Sequence, residues 1–154
     1  MTDDDFGPRF RLVEIGPDGH PSERLGALPS AIREACRATA NLYRRNGFHP
    51  PWVGYLALDG PAAVGGGAFV GPPREAAVEI AYFTLPEHQG RGHATRTAAA
   101  LIGIARGAAP TVGVCAKTAP RHGPSTAILA RLGFRRIGVA VDHEIGEAWA
   151  WRLG

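Results

Sequence analysis

Cysteine, lysine and methionine are all scarce in this 154-residue chain. Two cysteines, Cys36 and Cys115, make neither a disulfide framework nor a zinc set. No group of His, Cys, Asp and Glu has metal-ligand spacing, so no metal is expected. The single lysine, Lys117, stands beside 16 arginines, the bias a GC-rich coding sequence produces, so part of the pI near 9.3 reflects codon usage rather than a partner. The arginines are scattered, with only Arg44–Arg45 and Arg135–Arg136 adjacent. Without a basic run of roughly 5–8 residues, no nucleic-acid surface is expected. Long apolar runs are missing too: Gly, Pro or Arg interrupts every one before the ~18 residues of a membrane span. The segment Met1 to Phe6 is acidic and lacks the basic-then-apolar layout of a secretory signal. With 45% hydrophobic and 20% charged residues, the composition excludes disorder. These absences describe a reduced, cytoplasmic protein of one domain over residues 1–154.

Glycine and proline, by contrast, are abundant: 34 of 154 residues, well above the roughly 12% of an average chain. They separate periodic segments and therefore read as turns. Phe10 to Ile15 alternates as a strand does. Ile32, Ala35/Cys36, Ala40 and Tyr43 form the stripe of an amphipathic helix, with Ser30 as its expected N-cap and Asn46-Gly47 as its end. Trp52–Leu58 and Ala63–Val70 flank Asp59-Gly60 and predict a hairpin. Ala76–Leu85 has the length and apolar content of a central strand. A glycine-bearing loop, Pro86–Gly92, leads to a helix over about Ala94–Arg106. A strand over Thr111–Ala116, a helix over Ser125–Leu132 closed by Gly133-Phe134, and strands over Arg135–Val141 and Glu147–Trp151 complete the chain. The order β-α-β-β-β-α-β-α-β-β argues for an α+β fold with a mainly antiparallel sheet.

The segment from Glu79 to Thr95 is the most informative. A strand delivers the chain to a tight turn, and a helix starts at once, so uncapped N–H groups and the positive end of the helix dipole suit an anion. Gly90 and Gly92 let the backbone close around a pyrophosphate where a Cβ would clash. Arg91, His93 and Arg96 are expected to add positive charge at its mouth. The glycines lack the spacing of a dinucleotide fingerprint and of a P-loop.

Gln89-x-x-Gly92-x-Ala94, after a strand and before an Ala-rich helix, resembles the Q/R-x-x-G-x-G/A signature of the GNAT superfamily of N-acetyltransferases. Ser125-Thr-Ala-Ile-Leu-Ala-Arg-Leu-Gly-Phe134 resembles that family's second marker. Val78-Glu-Ile-Ala-Tyr82 and Trp149-Ala-Trp151-Arg152 look most like its RimJ/RimL-like branch. The resemblance covers residues 52–154 well and the first third loosely. It implies a sheet splayed at the coenzyme site, acetyl-CoA as co-substrate, and direct attack of a primary amine on the thioester in a ternary complex. The strand end Phe83, Thr84 and Leu85 would meet the pantetheine arm. The loop Gln89, Gly90, Arg91, Gly92, His93, Ala94 and Thr95, with Ser125 of the second marker, would complete the coenzyme contacts. Two positions depart from the family pattern: His122 stands where relatives often carry Asn, and Arg96 where they often carry Glu.

Direct transfer needs a group to collect the amine proton and donors for the developing oxyanion. Glu79, on the strand entering the coenzyme site, is the candidate base; its alternative is a salt bridge to an Arg of a neighbouring strand. Tyr82 is the candidate acid for the leaving thiolate, or a packed aromatic. His88 and His93 read as solvated loop histidines. Cys115, expected in a buried strand, has no paired His for a covalent relay. Trp52, Trp149 and Trp151 read as sheet packing or the wall of an acceptor cleft. The acceptor is expected to be a protein N-terminal α-amine or a small-molecule amine, shaped by loops 16–29, 44–51 and 142–146. A homodimer fits the reading. The competing function is a non-catalytic acyl-CoA sensor or partner-binding module on the same fold.

Overall fold

A computed structural model describes residues 9–154; the acidic segment Met1–Phe6 lies outside them. Within the described residues, seven strands form one sheet in the order β1-β2-β3-β4-β5-β7-β6. Their ranges are β1 Phe10–Glu14, β2 Gly54–Asp59, β3 Ala62–Phe69, β4 Ala77–Thr84, β5 Gly113–Thr118, β6 Arg135–Asp142 and β7 Gly146–Leu153. The helices are α1 Ser30–Asn46, α2 His93–Ala108 and α3 Pro124–Arg131, and Pro86–His88 adds one 3-10 turn. The element order is the expected one. Every strand pair is antiparallel except β4 with β5.

Helix α1 buries Ile32, Cys36, Ala40 and Tyr43, the stripe read from the sequence. Tyr43 pins it to the sheet: its hydroxyl donates to Ile15 O at 2.7 Å and accepts from Gly54 N at 2.9 Å. Ser30 is the first helical residue rather than the cap; Pro29 holds the cap position and no side chain caps this end. Gly47 ends the helix at φ +83°, as expected.

Helix α2 lies on β3 and β4 through Thr97, Ala98, Leu101 and Ala105, all fully buried. The glycines of β3 allow that approach. A Cβ on Gly67 would stand 2.8 Å from Leu101 Cδ1 and 2.9 Å from Thr97 Cγ2. A Cβ on Gly65 would stand 2.2 Å from Phe83 O in β4. Glycine weakens a strand by entropy, but here it lets backbone and helix meet without a side chain between them. Helix α3 ends as the sequence predicts: Gly133 is left-handed at φ +96° and Phe134 N donates to Leu129 O at 2.9 Å.

The parallel seam between β4 and β5 is short. Only Ala77, Val78 and Glu79 pair, with Gly113, Val114 and Cys115. Beyond them β4 stays bound to β3 through Thr84, while β5 stays bound to β7 through Thr118. The sheet therefore opens from Ile80 onward. Trp151 fastens the β5 side, donating from Nε1 to Thr118 Oγ1 at 3.0 Å.

Candidate active site

Strand alternation gives β4 two working faces. Tyr82 pairs with Gly67, whose open side meets α2, so Tyr82 and Thr84 share the α2 face. Glu79, Ala81 and Phe83 take the other face, and the Phe83 ring lies over Gly66.

On the α2 face, a cleft of about 760 Å³ runs between the end of β4, the glycine loop and α3. Of the residues singled out from the sequence, Tyr82, Phe83, Thr84, Gln89, Gly90, Gly92, His93, Ala94, Thr95 and Ser125 line it. Leu85 and Arg91 do not. Leu85 is buried and its N–H goes to Val64 O at 2.8 Å; Arg91 is solvent-exposed. Gln89 ties the loop to the strand, donating from Nε2 to Thr84 O at 3.3 Å. Sequence reading passed over Pro124, Ala127, Ile128 and Arg131, which form the α3 wall. The helical period of α3 was legible, but nothing in it said which face would meet the glycine loop.

The helix start fits an anion. Gly92 holds the position before α2 at φ +83°, where a side chain is strained. No side chain caps α2 and no acid occupies its first turn, so the amides of that turn remain available beside the cleft. Thr84 Oγ1 is a buried hydroxyl without a hydrogen-bond partner among the described residues. Such an orphan costs about 1–3 kcal/mol unless a ligand or water satisfies it. The lining thus fits the phosphate and amide groups of a coenzyme A ester.

His93 departs from its expected role. Its amide belongs to the helix start, but its imidazole is 3% exposed and stacks near Phe10, with ring centroids 6.1 Å apart. Arg96 Nη2 lies 3.1 Å from Nδ1, and Nε2 is buried with no hydrogen-bond partner among the described residues, 3.9 Å from an Asp59 carboxylate oxygen. Burial, with the Arg96 cation second, pushes its pKa below the ordinary value. The ring is neither solvated nor a charge at the mouth: α2 packs its first side chain inward while the amide faces out. Sequence spacing cannot separate those two directions. His88 is half-buried and meets His93 edge-on. His122 packs edge-on against Trp149, centroids 5.1 Å apart, and does not line the cleft.

On the opposite face, Glu79 Oε1 lies 3.5 Å from Lys117 Nζ, both about one-third exposed. This is the neighbouring-strand ion pair foreseen as an alternative, made by the lone lysine instead of an arginine. Glu79 and its ladder partner Cys115 also line a cavity of about 520 Å³ with Asn46, Arg74 and Arg152. Asn46 comes from the expected acceptor loop 44–51; loops 16–29 and 142–146 do not reach this cavity. Cys115 is half-buried rather than buried. Tyr82 is desolvated, which raises its phenol pKa to about 12 and keeps it protonated at neutral pH. Glu79 and Tyr82 thus stand on opposite faces of β4, beside the opening of the sheet. Among the described residues no group of His, Cys, Asp and Glu is arranged to hold a metal, and no helix is long and apolar enough to cross a membrane.

Comparison with known proteins agrees with this architecture. No curated protein matches significantly by sequence. Among solved structures, RimL, a ribosomal L7/L12 alpha-N-protein acetyltransferase in complex with coenzyme A, superposes with TM-score 0.62 at 18% identity, over 80% of this chain and 71% of that one. A ribosomal-protein-S5-alanine acetyltransferase from Vibrio fischeri gives 0.66 at 16% identity, over 94% and 92%. An IAA acetyltransferase from Bacillus cereus gives 0.68 at 15%, over 94% and 98%. The model of the acetyltransferase (GNAT) domain matches residues 12–135, most of the chain. With the splayed seam, the uncapped helix start and the element order in agreement, the chain belongs to the GNAT acetyltransferase family and is an acyltransferase.

Proposed function

We propose that this protein transfers the acetyl group of acetyl-CoA to a primary amine, preferentially a protein N-terminal α-amine, by direct attack in a ternary complex. The observation that carries this reading is the pair of faces on β4: an anion-suited cleft with protonated Tyr82 on one side, and the Glu79 carboxylate in a separate cavity on the other. The coenzyme would lie along the cleft, its pyrophosphate held by amides from Gln89 to Thr95 and its arm by Thr84. The acceptor would approach from the Glu79 side. Its nitrogen forms a bond to the thioester carbonyl carbon, the C–S bond breaks, Glu79 takes the ammonium proton directly or through water, and Tyr82 protonates the departing thiolate.

The acceptor class follows from chemistry and from the open face. An α-amine with a pKa of about 7.8 loses its proton ~3.5 kcal/mol more cheaply at neutral pH than a lysine side chain at about 10.4. A site whose candidate base, Glu79, already faces Lys117 suits the more acidic ammonium. Ala81 and Phe83 on the acceptor face are exposed, which leaves room for a polypeptide end. The similar structure named as a ribosomal L7/L12 alpha-N-protein acetyltransferase supports the same class. Such an acceptor and two free cysteines suit the cytoplasm.

The Glu79–Lys117 pair also favours a second reading, in which the protein binds an acyl-CoA without turnover and Glu79 is structural. The deciding experiment is acetyl-CoA turnover over peptides that differ only in a blocked N-terminus or a blocked lysine. Acetylation of the lysine-blocked peptide and not of the N-terminally blocked one is expected. Transfer that survives N-terminal blocking and vanishes on lysine blocking would overturn the acceptor; no turnover of any amine would favour the sensor.

A further inference from the structure

The Glu79 cavity is more basic than a site for an ammonium needs to be. Arg74 and Arg152 line it together with Glu75 and Glu79, and Lys117 stands 3.5 Å from Glu79. Neither Arg74 nor Arg152 forms an ion pair with an Asp or Glu side chain among the described residues. Backbone holds both arginines instead. Arg152 is the ladder partner of Cys115, itself the partner of Glu79, so the three form one row across β4, β5 and β7. Arg152 Nε donates to Gly154 O at 2.9 Å. Gly113 makes room for the guanidinium, since a Cβ there would stand 2.6 Å from Nη2. Arg74 opens a tight turn: its N–H donates to Ala77 O at 2.8 Å, and Ala77 N–H donates back to Arg74 O at 3.1 Å. The residues between them, Glu75 and Ala76, are left-handed at φ +52° and +63°, a conformation usually left to Gly or Asn. Strain of this kind collects at ligand sites.

We propose that this cavity selects an acidic acceptor: a polypeptide N-terminus with Asp or Glu at its second or third residue. This selection rests on the reading of the Glu79 side as the acceptor side. An ammonium entering a pocket with excess positive charge is repelled, whereas an acceptor bringing its own carboxylate is drawn in. The spacing suits such a peptide. Glu79 and Arg152 stand two strands apart, about 10 Å at the ~4.8 Å separation of neighbouring strands. An extended peptide advances ~3.4 Å per residue. With the α-amine at Glu79, the side chain of the second or third residue therefore reaches the guanidinium. A planar guanidinium takes a carboxylate two-pronged, which a lysine cannot do. Arg74 supplies a second guanidinium to the same cavity from the β3–β4 connection. A free amino acid offers the same pair of groups, but its amine and carboxylate lie too close together to span this distance. Neither arginine lines the coenzyme cleft, so the coenzyme's phosphates do not account for them.

The test is acetyl-CoA turnover over lysine-free peptides with a free N-terminus that carry Glu, Ala or Arg at the second and third residues, with free glutamate alongside. The native protein is expected to favour the Glu peptide over the Ala peptide by roughly 10–100-fold in kcat/KM, mainly through KM. The Arg peptide should be the poorest, and the spread should shrink at high salt. Arg152→Glu and Arg74→Glu should each shift the preference toward the Arg peptide, an inversion that a merely structural arginine would not produce. The melting shift with acetyl-CoA checks that each variant is folded; Arg74, on an exposed turn, supplies the variant if Arg152→Glu unfolds. Equal rates for the Glu and Ala peptides, or a Glu preference kept in both variants, would overturn the proposal and leave α-amine transfer standing. Free glutamate as the best substrate would overturn the peptide as the source of the carboxylate. Failure of every free amine would overturn the acceptor reading and this selection together.

Discussion

The two faces of β4 were written into the chain by different means. The α2 face is a backbone site: glycine φ angles, an uncapped helix start and one orphan hydroxyl, Thr84 Oγ1. The opposite face is a side-chain site: a carboxylate, a lysine and a cavity assembled from α1, the β3–β4 connection, β5 and β7. Backbone sites need particular residues at fixed spacing, so they can be read locally. Side-chain sites need only that the fold bring together residues distant in sequence, as it does for Glu79 and Lys117. The contrast predicts that substitutions on the two faces will fail differently.

The largest effect is expected at the side-chain face. Glu79→Gln keeps shape and removes the proposed base, so kcat/KM should fall by roughly 10²–10⁴-fold and lose its base-dependent pH limb. The melting shift produced by acetyl-CoA should survive. A wild-type pH profile in the folded variant would make Glu79 a structural partner of Lys117 only.

Gly92→Glu should break the other face. Acetyl-CoA at ~100 times its dissociation constant should stabilise the native protein by about 2.7 kcal/mol. The substitution puts a strained side chain and a negative charge where the phosphates would sit, and this ligand-dependent shift should vanish in a thermal melt. A normal shift would show that the coenzyme lies elsewhere.

Gly65→Ala joins the two faces through the strand between them. Its Cβ would stand 2.2 Å from Phe83 O and 2.9 Å from Thr84 Cα, both backbone atoms of β4. The strand must shift, costing about 1–3 kcal/mol by the overpacking rule and disturbing Thr84 on the α2 face and Phe83 on the other. Denaturant melts and acetyl-CoA affinity should both suffer. Unchanged values would mean that β3 and β4 can separate without consequence.

The smallest effect concerns His93. Its folded pKa is depressed, chiefly by burial, whereas in the unfolded chain it is about 6.5. The unfolded state therefore binds more protons as pH falls below about 6.5, and stability should drop there while staying constant above it. His93→Phe should flatten this acid-side slope relative to the native protein. An identical slope in both would assign it to other groups.

Local residue pattern was enough for the element order, the turns and the glycine loop before α2. Gly47, Gly60, Gly92 and Gly133 all adopt the positive φ that their places in the pattern require, because glycine's conformational freedom is a property of one residue and its neighbours. The inward stripe of α1 was equally legible, since a 3.6-residue period needs no knowledge of what it packs against. Tertiary structure alone decided the rest. It turned the His93 ring under α2, set Lys117 against Glu79, and brought Arg152 and Asn46 to the same cavity. These outcomes depend on strand order and on which faces are covered. A chain specifies local torsions through single residues, whereas long-range neighbours follow only from the complete packing.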